Sequence, residues 1–176
     1  MAGLVYISKG HLHLRAADGQ EKTIESQFGR SLRDRAAQIE NRHAWKTQGR
    51  GANFMRGMMW GNGPGEQLRA EFPIRITGVT RAGSDGDLLY SLETNEVGGI
   101  FAVDAQGVEQ RLFHTADFRV RHLAASPDGS EVAATIAHDH FMTHIGILGR
   151  HGGGLQEVTE GDSVDAAPRW VPGERR

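Results

Sequence analysis

The sequence feature that most limits the fold is a pattern that recurs three times along the chain. Each copy has an apolar strand, a polar break, a second apolar strand, a turn containing Gly and a third short strand. The predicted strands are 4–7, 11–15 and 22–24 in the first copy, 88–92, 100–103 and 110–113 in the second, and 132–136, 145–148 and 155–158 in the third. This repetition predicts a mainly β fold built from similar units.

Tight turns precede the second and third copies and set the period of the repeat. Ser84-Asp85-Gly86 and Ser126-Pro127-Asp128-Gly129 place Asp85 and Asp128 43 residues apart. The second turn fits type I, because Pro127 fixes φ at its second position and Gly129 suits its fourth, and it would follow a further strand at 120–125. A third turn, Val171-Pro172-Gly173, places Pro172 45 residues beyond Pro127. Four short strands with this period are typical of a propeller blade.

Two of these strings carry a resemblance to a known family. Pro127-Asp128-Gly129, and Pro168-Arg169-Trp170-Val171-Pro172-Gly173 one period later, resemble the P-x-W-S-P-D-G repeat of TolB-type, WD40-like (PD40) β-propellers. The resemblance covers residues 1–25 and about 73–176. The pattern departs from the family at Ser84-Asp85-Gly86, which lacks the Pro, and at Val171-Pro172-Gly173, which lacks the Asp.

The resemblance implies a partial β-propeller of about three blades of four antiparallel strands, fewer than the usual four to eight blades. The first copy has no first strand, and residues 168–171 form a lone first strand that would close the ring beside it. We expect either a fragment of a longer protein, which we favour, or self-association that completes the ring. The predicted organisation is first-blade strands at 1–25, an insert at 26–72, and two further blades with one terminal strand at 73–176.

The composition of the sequence limits the fold class and the kinds of site that the chain can contain. The 24 glycines among 176 residues and the 7% of aromatic residues suit a turn-dense β protein better than a helix bundle. The absence of Cys from the sequence excludes a disulfide scaffold, a Cys nucleophile and Cys-ligated metal sites. The sequence has neither a signal peptide nor an apolar run long enough to span a membrane, so we expect a cytoplasmic protein with no membrane partner.

The insert at 26–72 holds the candidate binding residues. Ser31-Leu32-Arg33-Asp34 predicts a helix N-cap, and apolar residues spaced from Phe28 predict a helix of about four turns that ends near Gly49. Residues 28–69 hold eight Lys and Arg against three Asp and Glu, and a Gly- and Met-rich stretch follows the helix. We predict that these basic side chains and one aromatic side chain bind a partner. The alternative is that the basic side chains are only solvated or form ion pairs. The predicted binding residues are Arg30, Arg33, Arg35, Arg42, Lys46, Arg50, Arg56 and Trp60.

Metal and catalytic motifs are weak in the sequence. His138, His140 and His144 are the weak candidate metal ligands, because alternate strand positions share a face, but as residues of a strand-connecting tip they are also expected to be solvated. A nucleophile elbow, a P-loop and a dinucleotide-binding motif are absent from the sequence. The sequence therefore predicts no catalytic residues, no bound metal and no cofactor.

These observations predict a non-catalytic binding or scaffolding module. Protein partners would be recognised through the insert and the blade rims. Two alternatives stay open: an accessory propeller of a larger enzyme, such as those fused to serine peptidase domains, and nucleic-acid binding through the basic insert.

Overall fold

The computed structural model describes residues 3–9, 11–32, 34–35, 74–83, 86–94, 97–138 and 142–171. They belong to two compact units, residues 1–24 with 74–176, and residues 25–73. The described part of the first unit is built of β-strands, and that of the second contains a short helix.

Within the described residues, eleven strands form three antiparallel sheets. The first sheet is β1 (Leu4–Ser8), β2 (His11–Arg15) and β3 (Glu21–Ile24). The second is β4 (Arg75–Arg81), β5 (Leu88–Glu93), β6 (Gly98–Val103) and β7 (Glu109–Thr115). The third is β8 (Arg119–Ala125), β9 (Glu131–Ala137), β10 (Thr143–Gly149) and β11 (Gln156–Glu157). Each sheet is a meander of sequential neighbours, and none closes on itself within these residues.

The mainly β prediction is thus confirmed, and the strands of all three copies lie within two residues of their predicted ends. Apolar runs were informative because the central strands are buried on both faces: every position of β6 is buried, and so are residues 132–136 of β9. Val132 pairs with Leu148 and Ala134 with Gly146, so the even-numbered positions of β9 and β10 share one face of the third sheet. Val132, Ala134 and Leu148 are fully buried on that face.

The main core lies between the second and third sheets. Leu89 and Ile100 from the second sheet pack with Val120, Val132 and Leu148 from the third, and all five are fully buried. Phe113, Phe118 and Leu155 pack against the margin of this cluster. Burial of such side chains contributes roughly 1.5–3 kcal/mol each, so the interface between the sheets is a main source of stability.

The first strands of these two sheets, β4 and β8, lie against each other. The Thr77 hydroxyl donates to the Val120 carbonyl at 2.9 Å, and the Ala125 amide donates to Thr80 Oγ1 at 3.2 Å. A Cβ on Gly78 would lie 2.9 Å from the backbone nitrogens of both His122 and Leu123, so only glycine fits this approach. Both strands are bulged there, β4 between Ile76 and Gly78 and β8 between Arg121 and Ala124.

The predicted terminal strand at 168–171 is wrong, because these residues do not form a strand. Ala167 takes a left-handed φ of 53°, which interrupts an extended course, and Pro168 has no amide proton for a ladder hydrogen bond. A side chain anchors the segment instead: Trp170 Nε1 donates to the Ala124 carbonyl of β8 at 2.7 Å. Pro172 and Gly173, from the predicted third turn, lie outside the described residues.

The predicted helix in the insert exists but starts earlier than its predicted cap. Residues 27–32 and 34–35 are helical (α1), and the N-cap is Ser26, whose hydroxyl accepts from the Gly29 amide at 3.0 Å. Ser31 lies inside the helix, where its hydroxyl donates to the Phe28 carbonyl. The predicted end near Gly49 lies outside the described residues. In the part of the chain that is described, no helix has the length and apolar character needed to cross a bilayer.

Candidate functional site

Three consecutive strands bring a group of titratable side chains to one face of the third sheet. The His138 amide donates to the Met142 carbonyl, which extends the β9–β10 pairing by one residue. His144 is two positions beyond Met142 on β10, so it lies diagonally across from His138 on the same face. Glu157 of β11 pairs with Gly146, two positions beyond His144, which puts the carboxylate on that face as well.

The three side chains converge on one carboxylate oxygen. Glu157 Oε2 lies 3.0 Å from His144 Nδ1 and 3.5 Å from His138 Nε2. One nitrogen or oxygen from each residue lies within 4.8 Å of the other two. The site is partly shielded, because the exposed fractions are 13% for the His144 side chain, 31% for His138 and 38% for Glu157. We call these three residues the His–Glu cluster.

The environment of His144 fixes the orientation of the ring and raises its pKa. Its second ring nitrogen, Nε2, lies 2.9 Å from the Gly161 carbonyl, which can only accept, so Nε2 carries a proton. The Glu157 carboxylate, and after it the Gly161 carbonyl, raises the pKa of His144 above its ordinary value. A positive charge at this position is therefore stabilised.

The cluster lies at the margin of the core between the second and third sheets. The ring of Phe118, which packs against that core, has its centroid 5.5 Å from that of His138. His138 Nε2 is buried and forms no hydrogen bond, one of two such buried side-chain atoms among the described residues. A buried nitrogen without a hydrogen bond is costly unless a further group satisfies it.

Asp165, a carboxylate close to the cluster, accepts hydrogen bonds from residues outside the cluster. The Ser163 hydroxyl donates to Asp165 Oδ2 at 2.9 Å. Hydrogen bonds from Thr159 and then Ser163 lower the pKa of Asp165, and Asp165 in turn raises the pKa of His144 through its charge. Asp165 therefore adds negative potential to the site while its own oxygens are held by hydroxyl groups.

Of the three histidines that the sequence suggested as metal ligands, the structure brings two together. His138 and His144 join the cluster, and His140 lies outside the described residues. Glu157 was missed, because it follows His144 by 13 residues and enters the site only through the β10–β11 pairing. Alternation of side chains along the strands would place Glu157 on this face, but only once the registers of the β9–β10 and β10–β11 pairs are known.

The predicted binding residues lie in the second unit, and two of the eight are described. Arg30 and Arg35 are exposed on α1, and Arg30 Nη2 contacts Glu25 Oε2 at 2.7 Å within the same unit. Arg33, Arg42, Lys46, Arg50, Arg56 and Trp60 lie outside the described residues.

The turn that carries the family resemblance is held by a dense set of hydrogen bonds. The Gly129 amide donates to the Ser126 carbonyl at 2.9 Å, and Gly129 takes a φ of 72°. Asp128 Oδ1 accepts from the Ser126 hydroxyl at 2.7 Å and from the Ser130 amide at 3.1 Å. These bonds, led by the one from Ser126, lower the pKa of Asp128 to about 2. Asp128 therefore stabilises the turn as a carboxylate.

Comparison with known proteins adds no assignment to this geometry. No protein-family model matches the chain, and no curated protein matches it either.

Proposed function

We propose that this chain is a propeller-type repeat module that acts by binding other proteins. The observation that carries the proposal is the way in which two consecutive four-stranded meanders meet, first strand against first strand, about one repeat apart. Thr77 of β4 and Val120 of β8, which are 43 residues apart, share a hydrogen bond. Radial packing of first strands is how propeller blades surround a common axis.

The bulges support the equivalence of the two sheets. β4 and β8 are both irregular at the point where they touch, at Gly78 and at His122, which has a φ of 48°. A contact with a similar spacing lies one repeat further along the chain. Trp170 lies 46 residues after Ala124, and its indole N–H donates to the Ala124 carbonyl. β8 therefore contacts both β4 and the non-strand segment 168–171 at similar sequence spacings, as expected of repeats around an axis.

The first sheet supports a role in binding. It has three strands where the other two have four, and β1 corresponds by its place in the repeat to the second strands β5 and β9. Within the described residues β2 is the one strand that pairs with β1. A strand edge of this kind can accept a strand from another chain, so we propose that β1 offers one route to self-association or partner binding.

Partner specificity would come from the insert in this proposal. Its Arg side chains suit an acidic protein face, and Trp60 is the residue type that most often dominates binding energy at interfaces. The described start of the insert, with Arg30 and Arg35 exposed on α1, is consistent with this role.

The test compares the chain with a Trp60→Ala variant and with Val108→Ala, a control that truncates an apolar side chain with 61% exposure in the first unit. Each protein is immobilised and exposed to extract from its source, and each captured protein is then purified and titrated. We expect a partner that binds the chain and the control equally and binds Trp60→Ala at least about 30-fold more weakly, with melting temperatures unchanged.

Equal binding of every captured protein to the unaltered chain and to both variants would overturn the proposal that the insert recognises protein. Nucleic-acid binding is the competing outcome. In that case a 20-nucleotide DNA would bind with strong salt dependence, and replacing Arg30, Arg33, Arg42 and Arg50 by Ala would flatten it.

A further inference from the structure

Two imidazole nitrogens of the His–Glu cluster face the same carboxylate oxygen. The His144 Nε2–H donates to the Gly161 carbonyl, so Nδ1 is the ring nitrogen that faces Glu157 Oε2, at 3.0 Å. His138 Nε2 faces the same oxygen at 3.5 Å and forms no hydrogen bond. Either a proton or a metal ion can join an imidazole nitrogen to a carboxylate oxygen at these distances.

A proton satisfies part of this arrangement. If His144 is an imidazolium, its Nδ1 donates to Glu157, and that pair is then complete. That proton does not help His138. Its Nε2 is buried and still forms no hydrogen bond. A metal ion, in contrast, accepts electron pairs from all three atoms at once.

The two distances between the imidazole nitrogens and the carboxylate oxygen suit a small divalent cation. Zinc binds imidazole nitrogen and carboxylate oxygen at about 2.0–2.2 Å, which places neighbouring ligand atoms of a tetrahedral site about 3.3 Å apart. The two distances to Glu157 Oε2, 3.0 and 3.5 Å, lie on either side of that value. We propose that His138, His144 and Glu157 bind a divalent zinc-type cation, with the fourth coordination position left for water or another ligand.

The surroundings meet two further requirements of such a site. A metal-ligating histidine usually donates its other N–H to a carbonyl or carboxylate, which fixes the ring, and Gly161 supplies that carbonyl for His144. The Phe118 ring lies against the His138 ring and shields that side of the imidazole from water. The ligands come from β10, β11 and the end of β9, so paired backbone holds them in place.

The probe is Zn²⁺ alone, added to protein that has been dialysed against a chelator, with binding measured by calorimetry. We expect one ion per chain at this site and at least a 100-fold weaker affinity for His144→Ala and for Glu157→Gln. Glu157→Gln keeps the size of the side chain, so it separates loss of a ligand from loss of folding. The matched controls are His114→Ala and Glu131→Gln, two exposed residues elsewhere on the sheets, and both should bind as the unaltered chain does.

Co²⁺ gives an independent readout of the ligand set. Bound at this site it should show the intense visible absorption of a four-coordinate ion, and Glu157→Gln should abolish that absorption while circular dichroism stays unchanged. The inference is overturned if Zn²⁺ does not bind, or if it binds the chain and the Glu157→Gln variant with the same affinity. Neither result bears on the partner-binding experiment, because the inference does not rest on the proposed function.

Discussion

Replacement of Gly78 by Ala tests the packing of the second sheet against the third. A Cβ at this position would meet the backbone nitrogens of His122 and Leu123 at 2.9 Å and the Ser91 hydroxyl at 2.8 Å. Ordinary contact begins at about 3.4 Å, so β4 and β8 must move apart by about 0.5 Å. The two nearest nitrogens belong to backbone, and a side-chain rotation cannot relieve the contact.

Overpacking of this kind costs about 1–3 kcal/mol. For a chain of 176 residues each kcal/mol lowers the melting temperature by about 2–4 °C, so Gly78→Ala should melt about 2–12 °C below the unaltered chain. Urea unfolding followed by far-ultraviolet circular dichroism should show a lower midpoint with an unchanged slope.

The matched control for this substitution is Gly154→Ala. A Cβ at Gly154 meets no atom within 4 Å, and Gly154 is not in the left-handed region. This variant should therefore have the same urea midpoint and melting temperature as the unaltered chain. Equal stability of Gly78→Ala and Gly154→Ala would refute the close approach of β4 and β8. The support for a propeller arrangement would then be lost as well.

Two further substitutions test the hydrogen bonds at and beside the repeat turn. The pKa of Asp128 is about 2 in the folded chain and near 3.8 when the group is free, so the unfolded chain takes up the proton first as pH falls. The stabilisation is complete above about pH 4 and is lost towards pH 2, and urea midpoints should show a smaller acid loss for Asp128→Asn than for the unaltered chain. Trp170→Phe removes the donor to the Ala124 carbonyl and should cost about 0.5–1.5 kcal/mol by urea unfolding, whereas an unchanged midpoint would show that this bond contributes nothing.

The sequence was most informative where local chemistry decides the structure. Apolar runs between turn residues located the strands, because central strands such as β6 and β9 are buried on both faces and each turn needs a residue that tolerates its φ. The prediction failed at 168–171, where the position in the repeat indicated a first strand and Ala167 and Pro168 prevent one. It also failed at the helix cap, because Ser26 and Ser31 are equally good cap residues by type, and the position of the first turn decides between them.

The site was less accessible to sequence reasoning because its ligands are set by register. His138 and His144 are close in sequence, but Glu157 joins them only because β11 pairs with β10 so that Glu157 faces Gly146. A slip of one residue in that pairing would turn the carboxylate to the opposite face of the sheet. Composition and spacing alone could not distinguish these two outcomes, and so the sequence suggested His140 and not Glu157 as a ligand.

The second sheet shows whether this cluster belongs to the repeat or was added to it. The pair Glu93–Gly98 occupies the place in the β5–β6 hairpin that Ile136–His144 occupies in β9–β10. One strand further, Ile100–Phe113 corresponds to Gly146–Glu157. The counterparts of His144 and Glu157 are therefore Gly98 and Phe113, which can neither ionise nor bind a metal through a side chain. The second sheet forms the same meander without these two side chains, so the fold itself does not require them, as expected if they serve the proposed metal site.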